Sequence, residues 1–361
     1  MPTIADVARH AGVSVSTVSY ALSGSRPITP ETRERVLASM KLLGYQPNAM
    51  ARSLAARRSR VIAMIYPEVD RGLGGTGGEF VRASAERARE LGYQLVLWPF
   101  RADEARQIRN LVRQGTADGV LVMEVLLDDE RIDVLEEAGI PYTMIGRTRD
   151  VTSRHSVDID FEATVAATIE HLVGLGHRRI AFVNHSQESL EAGYGPTVRV
   201  AEAFDRLMAA RGLYPLARTC ADSPLDGRAV MADLLAADPD LTAVVTMNEL
   251  ATFGVFAELQ RRGLAIPADV SVMGIVSSPG VGTLSNPQLT TMHSPGAELG
   301  RCAVDRLLTQ LDDGRQPVPN LLIPCVFEPG LSVGPARTES DDAPPRPRPA
   351  GTPALSRKDT Q

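Results

Sequence analysis

Residues 3–22 read T-I-A-D-V-A-R-H-A-G-V-S-V-S-T-V-S-Y-A-L, and this stretch decides the fold of the N-terminal part of the chain. Thr3 stands at a helix N-cap position with Asp6 three residues later, which is the arrangement of a capping box. Gly12 ends that helix and Ser14 caps the next one. Two helices joined by a tight turn that contains glycine form a helix-turn-helix unit, whose second helix enters the major groove of DNA.

A third helix is predicted to follow. Thr29 is its N-cap, Pro30 takes the first helical position, where the missing N–H costs nothing, and Gly44 ends it. The second helix is predicted to turn Val18 and Leu22 inward. The apolar side of the third helix is predicted from residues at helical spacing, namely Val36, Leu37, Met40 and Leu43.

The charge distribution agrees with a nucleic-acid partner. Residues 1–60 contain nine Lys and Arg against three Asp and Glu, whereas the chain of 361 residues carries a net charge of −6. A basic head on an acidic body is an electrostatic footprint for DNA. A solvated basic face on a purely structural helical domain is the alternative.

The outward face of the second helix supplies candidates for DNA contact. Val15, Ser16 and Tyr20 are predicted to point away from the apolar side, toward the groove. A serine hydroxyl can bond several base edges, and a valine can contact a thymine methyl group. Thr17 is open between anchoring a backbone phosphate and local helix packing.

These residues resemble the lactose-repressor (LacI) family of bacterial transcription regulators. The resemblance extends over residues 3–334, and its most specific motifs are I-A-D-V-A-R-H-A-G-V-S-V-S-T-V-S, L-G-Y-Q-P-N-A-M-A-R-S-L-A and G-H-R-R-I-A-F. It implies a repressor that binds a pseudo-palindromic operator in double-stranded DNA as a homodimer, or as a tetramer. It also gives Arg26 a base or phosphate contact.

The resemblance assigns residues 47–59 to a hinge helix and linker, in which the helix folds only on DNA and lies in the minor groove. Leu54 matches the apolar wedge that enters between the central base pairs and kinks the duplex. The other predicted minor-groove residues are Asn48, Ala51, Arg52 and Ala55. The family often has lysine at the last of these positions, so readout beside the kink is expected to be looser or to depend on neighbouring arginines.

Beyond residue 60 strands alternate with helices, which predicts parallel sheets with right-handed crossovers. The pattern restarts after residue 158, so two doubly wound α/β halves are predicted, similar to the periplasmic-binding-protein-like body of the family. By resemblance, L-T-T-M-H (residues 289–293) crosses back to the first half and the next helix packs there. L-L-I-P-C-V-F (residues 321–327) then returns to the second half.

The predicted domains follow from these patterns. Residues 1–46 form the DNA-binding domain, residues 47–59 the hinge, residues 60–335 the effector-binding and dimerisation domain, and residues 336–361 a disordered, Pro-rich tail. Within the body, an N-subdomain spans about 60–157 and 292–318. A C-subdomain spans about 158–291 and 319–335.

Ligands of doubly wound folds bind at the carboxyl ends of the strands. The resemblance accordingly implies a small-molecule effector, a sugar or related metabolite, in the cleft between the halves. Arg199 resembles an arginine that grips the effector, although it lies five residues before Phe204 rather than the usual four; a surface arginine is the alternative. Asn248 ends a strand and matches a pocket asparagine, and it could also cap a helix.

Further pocket candidates end other strands. They are Glu124, Arg147 and Trp98, and the tryptophan could equally pack in the core. Val276 stands where the family often has an acid that accepts hydrogen bonds from sugar hydroxyls. An alkyl group at this position argues against a standard sugar effector.

Composition and motifs argue against several other classes. No apolar run approaches the ~18–20 residues of a membrane span. Three cysteines, Cys220, Cys302 and Cys325, form no disulfide framework and fit a reducing cytoplasm. The histidines show no metal-ligand spacing, so no metal or cofactor is expected.

A nicotinamide-dependent enzyme or other small-molecule-binding protein with a structural basic head is the alternative function. Gly72, Gly74 and Gly77 form a formal G-x-G-x-x-G. A dinucleotide fingerprint places its first glycine in the turn directly after the strand, but several residues intervene here. No nucleophile–base arrangement is visible, so we predict that the protein is not an enzyme.

Overall fold

A computed structural model describes residues 2–23, 26–45, 58–67, 74–100, 108, 114–150, 155–313 and 319–337. It confirms the predicted fold class, a helical head followed by an α/β body with two doubly wound halves. The described residues of the head form helices α1 (Ile4–Ala11), α2 (Val15–Ser23) and α3 (Pro30–Leu43).

Local caps fix the ends of the head helices as the sequence predicts. The Thr3 hydroxyl accepts a hydrogen bond from the Asp6 N–H at 3.3 Å, and the Asp6 carboxylate accepts one from the Thr3 N–H at 2.9 Å. Gly12 ends α1 with a left-handed φ of 64°. The fully buried core of the head comprises Val7, Ala8, Ala11, Val18, Ala21 and Val36. The caps set the helix ends, and the apolar stripes fix how the helices pack.

The prediction that Leu37 faces the core was wrong, because its side chain is 47% exposed. Ser39 is buried instead, and its hydroxyl donates to the Arg35 carbonyl at 2.8 Å and lies 2.9 Å from His10 Nδ1. A hydroxyl with two partners can be buried without the penalty of an unsatisfied polar group. The spacing of apolar residues alone therefore predicted a buried face of α3 that was too wide.

The first half of the body contains a parallel six-stranded sheet with the strand order β11-β5-β4-β3-β1-β2. Its elements in chain order are β1 (Val61–Pro67), α4 (Gly74–Glu90), β2 (Gln94–Phe100), β3 (Gly119–Val122), α5 (Glu130–Glu137), β4 (Tyr142–Ile145), β5 (Ser156–Ile159) and, from later in the chain, β11 (Leu321–Ile323). Between β2 and β3, only residues 108 and 114–118 are among the described residues.

The second half contains a second six-stranded sheet, with the order β12-β10-β9-β8-β6-β7. Its elements are α6 (Phe161–Gly174), β6 (Ile180–Asn184), α7 (Gln187–Glu191), α8 (Gly195–Ala209), β7 (Leu216–Thr219), α9 (Pro224–Ala237), β8 (Ala243–Thr246), α10 (Glu249–Arg261), β9 (Ser271–Ser277), β10 (Thr290–His293) and β12 (Val326–Glu328). The strand β12 runs antiparallel to β10, and the other pairs are parallel.

The crossings between the halves differ from the prediction at two strands. L-T-T-M-H was expected in the first half, but β10 pairs with β9 in the second sheet. L-L-I was expected in the second half, but β11 pairs with β5 in the first. The helix α11 (Gly296–Asp313) does pack on the first half, where the Ser84 hydroxyl donates to the Gly300 carbonyl at 3.1 Å. Strand composition does not reveal which sheet a short strand joins, because that depends on distant partners.

The end of the body also differs from the predicted boundary. The Ala336 N–H donates to the Leu175 carbonyl at 2.8 Å, so this residue is tied to the body rather than to the tail. Residues 338–361 lie outside the described residues. In the described part of the chain, no helix is both long and apolar enough to span a membrane.

Helix α10 carries a buried carboxylate that makes stability depend on pH. Glu258 is 2% exposed and accepts hydrogen bonds from Arg261 at 2.6 Å and Arg262 at 2.7 Å. The bonds from Arg261 are the largest influence, and they lower the pKa of Glu258 to about 2. A lowered acid pKa stabilises the folded state above the ordinary pKa, and this contribution is lost as pH falls toward 2.

Glu258→Gln is therefore expected to lower stability by about 1–3 kcal/mol near pH 7 and by much less near pH 3. Thermal unfolding of the wild type and the variant across this range measures the difference. A gap between the two that stays constant with pH would contradict the assignment.

Candidate ligand cleft and nucleic-acid interface

The first residues of α2 present an exposed surface. Val15 is 46% exposed and Ser16 is exposed, whereas Val18 is fully buried. Ser14 caps the helix by accepting the Thr17 N–H at 3.1 Å, and the two hydroxyls lie 2.9 Å apart. The Thr17 hydroxyl thus has a local partner, which favours the packing role over the phosphate role. An exposed valine beside a serine suits the reading of base edges.

Tyr20 and Arg26 meet on the same side of the head. The guanidinium carbon of Arg26 lies 5.3 Å from the centroid of the Tyr20 ring, which is a cation–π geometry. Arg26 is exposed, so its donors stay available beyond the ring. The contact with the Tyr20 ring restricts the flexible side chain of Arg26 near the C-terminal end of α2.

The predicted hinge residues Asn48, Ala51, Arg52, Leu54 and Ala55 lie outside the described residues. Their roles stay predictions.

A cavity of about 200 Å³ lies between the two halves of the body, at the carboxyl ends of the strands. The first half contributes the beginning of α4 and the residues after β3 and β4. The second half contributes the residues after β6, β7 and β8, together with Val276 of β9. This is the position at which open α/β sheets bind ligands.

Three of the six predicted pocket residues line this cavity, namely Glu124, Asn248 and Val276, and three do not. Trp98 packs against the cores beside β1 and β3, so the stacking interpretation was wrong. Arg147 and Arg199 lie behind the cavity wall. The structure supports the alternative for Trp98 that the sequence left open.

Arg199 fastens the two halves together instead of facing the cavity. Its Nη2 donates to the carbonyls of Arg147 at 2.9 Å and Thr148 at 3.0 Å. The residue one position further along α8, Val200, is fully buried. Neither position lines the cavity, so the side chain that the resemblance predicted as an effector contact belongs to the contact between the halves.

Asp158 lines the cavity and lies between two guanidinium groups. Its Oδ2 is 3.1 Å from Arg147 Nε and 3.9 Å from Arg199 Nη1. Burial raises the pKa of Asp158 to about 6, although the two arginines lower it. Gly195 leaves room for the guanidinium in this position, since a Cβ there would lie 2.5 Å from Arg199 Nη1. The carboxylate with its two arginines therefore forms a charged bridge beneath the cavity.

Asn248 is committed to the fold as well as to the cavity. Its Oδ1 accepts the Ala251 N–H at 3.0 Å and caps α10, while its Nδ2 donates to the carbonyls of Cys220 at 3.1 Å and Ala221 at 3.2 Å. Asn248 is 1% exposed. The helix-cap interpretation is therefore confirmed, and the amide reaches the cavity as part of its wall.

Glu124 is positioned by a buried ion pair that the sequence analysis missed. Arg131 Nη2 donates to the Glu124 carbonyl at 2.9 Å and to Asp129 Oδ2 at 2.7 Å. Glu124 itself has a left-handed φ of 49°, which is unusual for a residue with a Cβ. The sequence D-D-E-R at residues 128–131 contains the two partners, but their burial is a tertiary property.

The sequence analysis also missed His185 and Asp222. Both line the cavity, and His185 Nδ1 lies 3.0 Å from Asp222 Oδ1. Each follows a strand of the second sheet, His185 after β6 and Asp222 shortly after β7. A polar residue just beyond a parallel strand is the signal that could have identified them.

Val276 has a φ of 54°, a genuine outlier for a β-branched residue. The register between β9 and β10 shifts at this point, so Val276 forms a bulge whose side chain reaches the cavity. Its carbonyl accepts a hydrogen bond from the Thr76 hydroxyl of α4 at 3.2 Å. The bulge thus lies where the two halves touch.

Gly75, at the beginning of α4, allows the two halves to approach closely here. A Cβ on Gly75 would lie 2.3 Å from the Ser278 hydroxyl oxygen of the second half. Gly74 and Gly77 belong to the first turn of the same helix, and Gly72 lies outside the described residues. Gly75 thus has a packing role between the halves, whereas a Cβ on Gly74 would meet no heavy atom within 4 Å. Among the described residues, no three His, Cys, Asp or Glu side chains are grouped to hold a metal ion.

Comparisons with known proteins agree with this architecture. Residues 3–48 match the family model described as bacterial regulatory proteins, lacI family, and residues 169–333 match the periplasmic binding protein-like domain. The HTH-type transcriptional regulator CelR of Thermobifida fusca is 32% identical over 321 residues, covering 85% of this chain and 92% of CelR. The HTH-type transcriptional repressor PurR of Haemophilus influenzae is 30% identical over 331 residues, covering 88% and 94%.

Two solved structures are similar over nearly the whole chain. The lac repressor dimer bound to operator and the anti-inducer ONPF superposes with a TM-score of 0.77 at 25% identity, covering 92% of this chain and 99% of that one. The CelR–cellobiose complex superposes with a TM-score of 0.67 at 27% identity, covering 92% and 100%.

Proposed function

The chain belongs to the lacI family of bacterial regulatory proteins, and from that membership we propose that it represses transcription by binding a pseudo-palindromic operator as a homodimer. It is a DNA-binding transcription regulator whose affinity for DNA is controlled by a small molecule. The observation that carries the proposal is the head: a capped helix-turn-helix with Val15 and Ser16 exposed on α2 and Arg26 held against Tyr20. A protein that reads DNA acts in the cytoplasm, and the relatives are regulators rather than enzymes, so we propose no catalytic activity.

The domain division supports this arrangement. Residues 1–46 read the major groove, residues 47–59 form the hinge, and the body from residue 60 binds effector and dimerises. Because each strand belongs to one of the two sheets, we propose that the chain crosses between the subdomains after β5, after β10 and between β11 and β12. Leu54 is proposed as the wedge that kinks the operator centre.

The cleft supports effector control. Arg199 and Thr76, which bonds to the bulge at Val276, make contacts between the halves beside the cavity, so a ligand in the cavity biases how the halves are arranged. CelR has been solved with cellobiose and the lac repressor with ONPF. Because linkage is reciprocal, an effector that weakens operator binding must itself bind less well to the operator complex.

Selection from a pool of random duplexes at near-physiological salt tests the proposal. We expect an enriched palindrome whose two half-sites bind far more tightly together than either one alone. Leu54→Ala is expected to lower affinity for this palindrome by about tenfold or more, because the kink no longer gains the contacts that offset unstacking. Leu42→Ala is the matched control, since Leu42 is 74% exposed on α3.

Two arginine variants distinguish a specific contact with a base from a general effect of positive charge on DNA affinity. Arg26→Ala is expected to lower affinity by about 1–3 kcal/mol and to relax one base preference. Arg9→Ala removes the same charge from a side chain that is 78% exposed and bonded to Asp6, and should change affinity little. No enriched sequence, or equal losses for the two variants, would contradict the proposed head function.

A further inference from the structure

Two of the side chains on the cleft that can donate hydrogen bonds are already engaged within the protein. The Asn248 amide nitrogen donates to two backbone carbonyls, and the Thr76 hydroxyl donates to the Val276 carbonyl. Arg147 Nε donates to Asp158 at 3.1 Å and does not reach the cavity. A ligand whose oxygens need donors, such as a polyhydroxylated or anionic molecule, therefore finds these two occupied, and among the described side chains of the wall only His185 and Tyr194 also carry an N–H or O–H.

The acceptors are different, because a carboxylate keeps lone pairs after its first hydrogen bond. Asp222 is bonded to His185, and Glu249 accepts the Ser278 N–H, yet both carboxylates line the cavity. One donating substituent on a ligand, a hydroxyl or an amine, can be accepted there. Glu124 and Asp158 add two further carboxyl groups to the wall, so the polar part of the ligand donates rather than accepts.

Apolar side chains form the rest of the wall, and several suit an aromatic ring. Phe80 and Phe161 line the cavity with the thioethers of Met123 and Met247. Methionine sulfur makes favourable contacts with ring edges, and aromatic pairs prefer stacked or edge-to-face geometry. Phe161 and Met123 are 1% and 2% exposed, so these groups are held in place before any ligand binds.

Val276 also belongs to the apolar wall of the cavity, although its backbone conformation is unfavourable for valine. At its φ of 54°, Asp or Asn is tolerated much better than a β-branched residue. The chain nevertheless places an alkyl group in the cavity. An apolar contact at this position is therefore part of what the cavity recognises.

The cavity volume limits the size of the ligand. An apolar cavity of about 150 Å³ accommodates benzene, and this cavity measures about 200 Å³. One ring with a small substituent fills that space.

We propose that the effector is a compact aromatic molecule with a single donating substituent, held between the Phe80–Phe161 and Met123–Met247 groups with its apolar edge on Val276. This inference rests on the proposed function, which makes the cleft the effector site, and narrows the ligand class from metabolites in general. Free sugars and anions bind poorly by comparison.

Methionine methyl NMR of the full-length protein tests it. The chain has eleven methionines, and the Met123→Leu and Met247→Leu variants assign the two resonances of interest. Benzyl alcohol is the aromatic probe and glucose the polyhydroxylated one, each titrated to several times a dissociation constant of about 1 mM. We expect benzyl alcohol to shift both methyl resonances through its ring current, and glucose to leave them unchanged.

Variants at the apolar edge make the test specific. Val276→Asp suits the backbone but buries a carboxylate against the ring, and should weaken benzyl alcohol binding by about tenfold or more. Val276→Thr, nearly isosteric, should weaken it less and serves if the first variant fails to fold. Tyr214→Asp adds the same charge at an 80% exposed position and should leave binding unchanged.

Shifts caused by glucose but not by benzyl alcohol, or no shift with either probe, would overturn the proposal. Equal binding by Val276→Thr, Val276→Asp and the wild type would do so too. Binding to the selected palindrome is measured on the same samples. If benzyl alcohol causes no shift but the protein still binds the operator, only this inference is wrong. If benzyl alcohol shifts the methyl resonances but the protein does not bind the operator, the proposed function is wrong.

Discussion

Replacing Asp129 by alanine is expected to destabilise the folded protein by about 3–5 kcal/mol, because it leaves a buried guanidinium without its carboxylate. The side chains of Asp129 and Arg131 are 2% and 7% exposed. Asp129 Oδ1 accepts from Arg131 Nε at 2.9 Å and Oδ2 from Nη2 at 2.7 Å. Removing one partner of such a pair costs far more than the pair contributes in net terms.

The same substitution should loosen one wall of the cleft. Asp129 also accepts the Leu126 N–H at 3.0 Å and caps α5, and its partner arginine holds the Glu124 carbonyl. We therefore expect reduced protection of the amides of residues 124–131 from hydrogen exchange, in addition to the lower unfolding temperature.

The neighbouring aspartate provides a matched control. The Asp128 side chain is 82% exposed and bonded to Arg149 at 3.3 Å, so Asp128→Ala should change stability by less than about 0.5 kcal/mol. Thermal and denaturant unfolding of both variants measure the difference. Similar losses for the two positions would show that burial of the pair contributes nothing.

Gly254→Ala is expected to destabilise the protein by about 3 kcal/mol or more, because α9 and α10 touch backbone to backbone. A Cβ on Gly254 would lie 2.0 Å from the Pro224 carbonyl oxygen, and one on Gly227 would lie 2.1 Å from the Ala251 carbonyl oxygen. Neither contact can be relieved by rotating a side chain. The two helices would have to move apart, which opens the hydrophobic core that contains Val230, Leu234 and Val255.

Gly174→Ala is the matched control for this effect. Gly174 ends α6, and a Cβ there would have no heavy atom within 4 Å. Alanine should leave stability unchanged or raise it by about 0.5–1 kcal/mol, since glycine costs more backbone entropy on folding. Unfolding temperatures that fall equally for the two substitutions would contradict the close contact of α9 with α10.

The helices and strands were largely predictable because their signals are local. The capping pair of Thr3 and Asp6, the proline at the start of α3 and the alternation of strands with helices each concern neighbours within a turn or a strand. The misplaced strands β10 and β11 had no such signal. A strand of three or four residues joins whichever sheet edge the rest of the chain presents to it.

The cleft was predictable in place but only partly in its residues. Strand ends identified Glu124, Asn248 and Val276, since the carboxyl ends of parallel strands meet at one edge. The same reasoning placed Trp98 there, but its ring packs on the core. His185 and Asp222 were overlooked because neither belongs to a motif, and only the meeting of β6 with β7 brings them to 3.0 Å.

The sequence by itself determined the family, the head and the order of the elements, because caps, glycine turns and hydrophobic periods act over a few residues. The tertiary structure alone decided what the cleft is made of. The orientation of α8 directs Arg199 to the contact between the halves, and a bulge in β9 brings an alkyl group into the cavity. Both outcomes depend on helix rotation and strand register, which are fixed by packing between segments far apart in the chain.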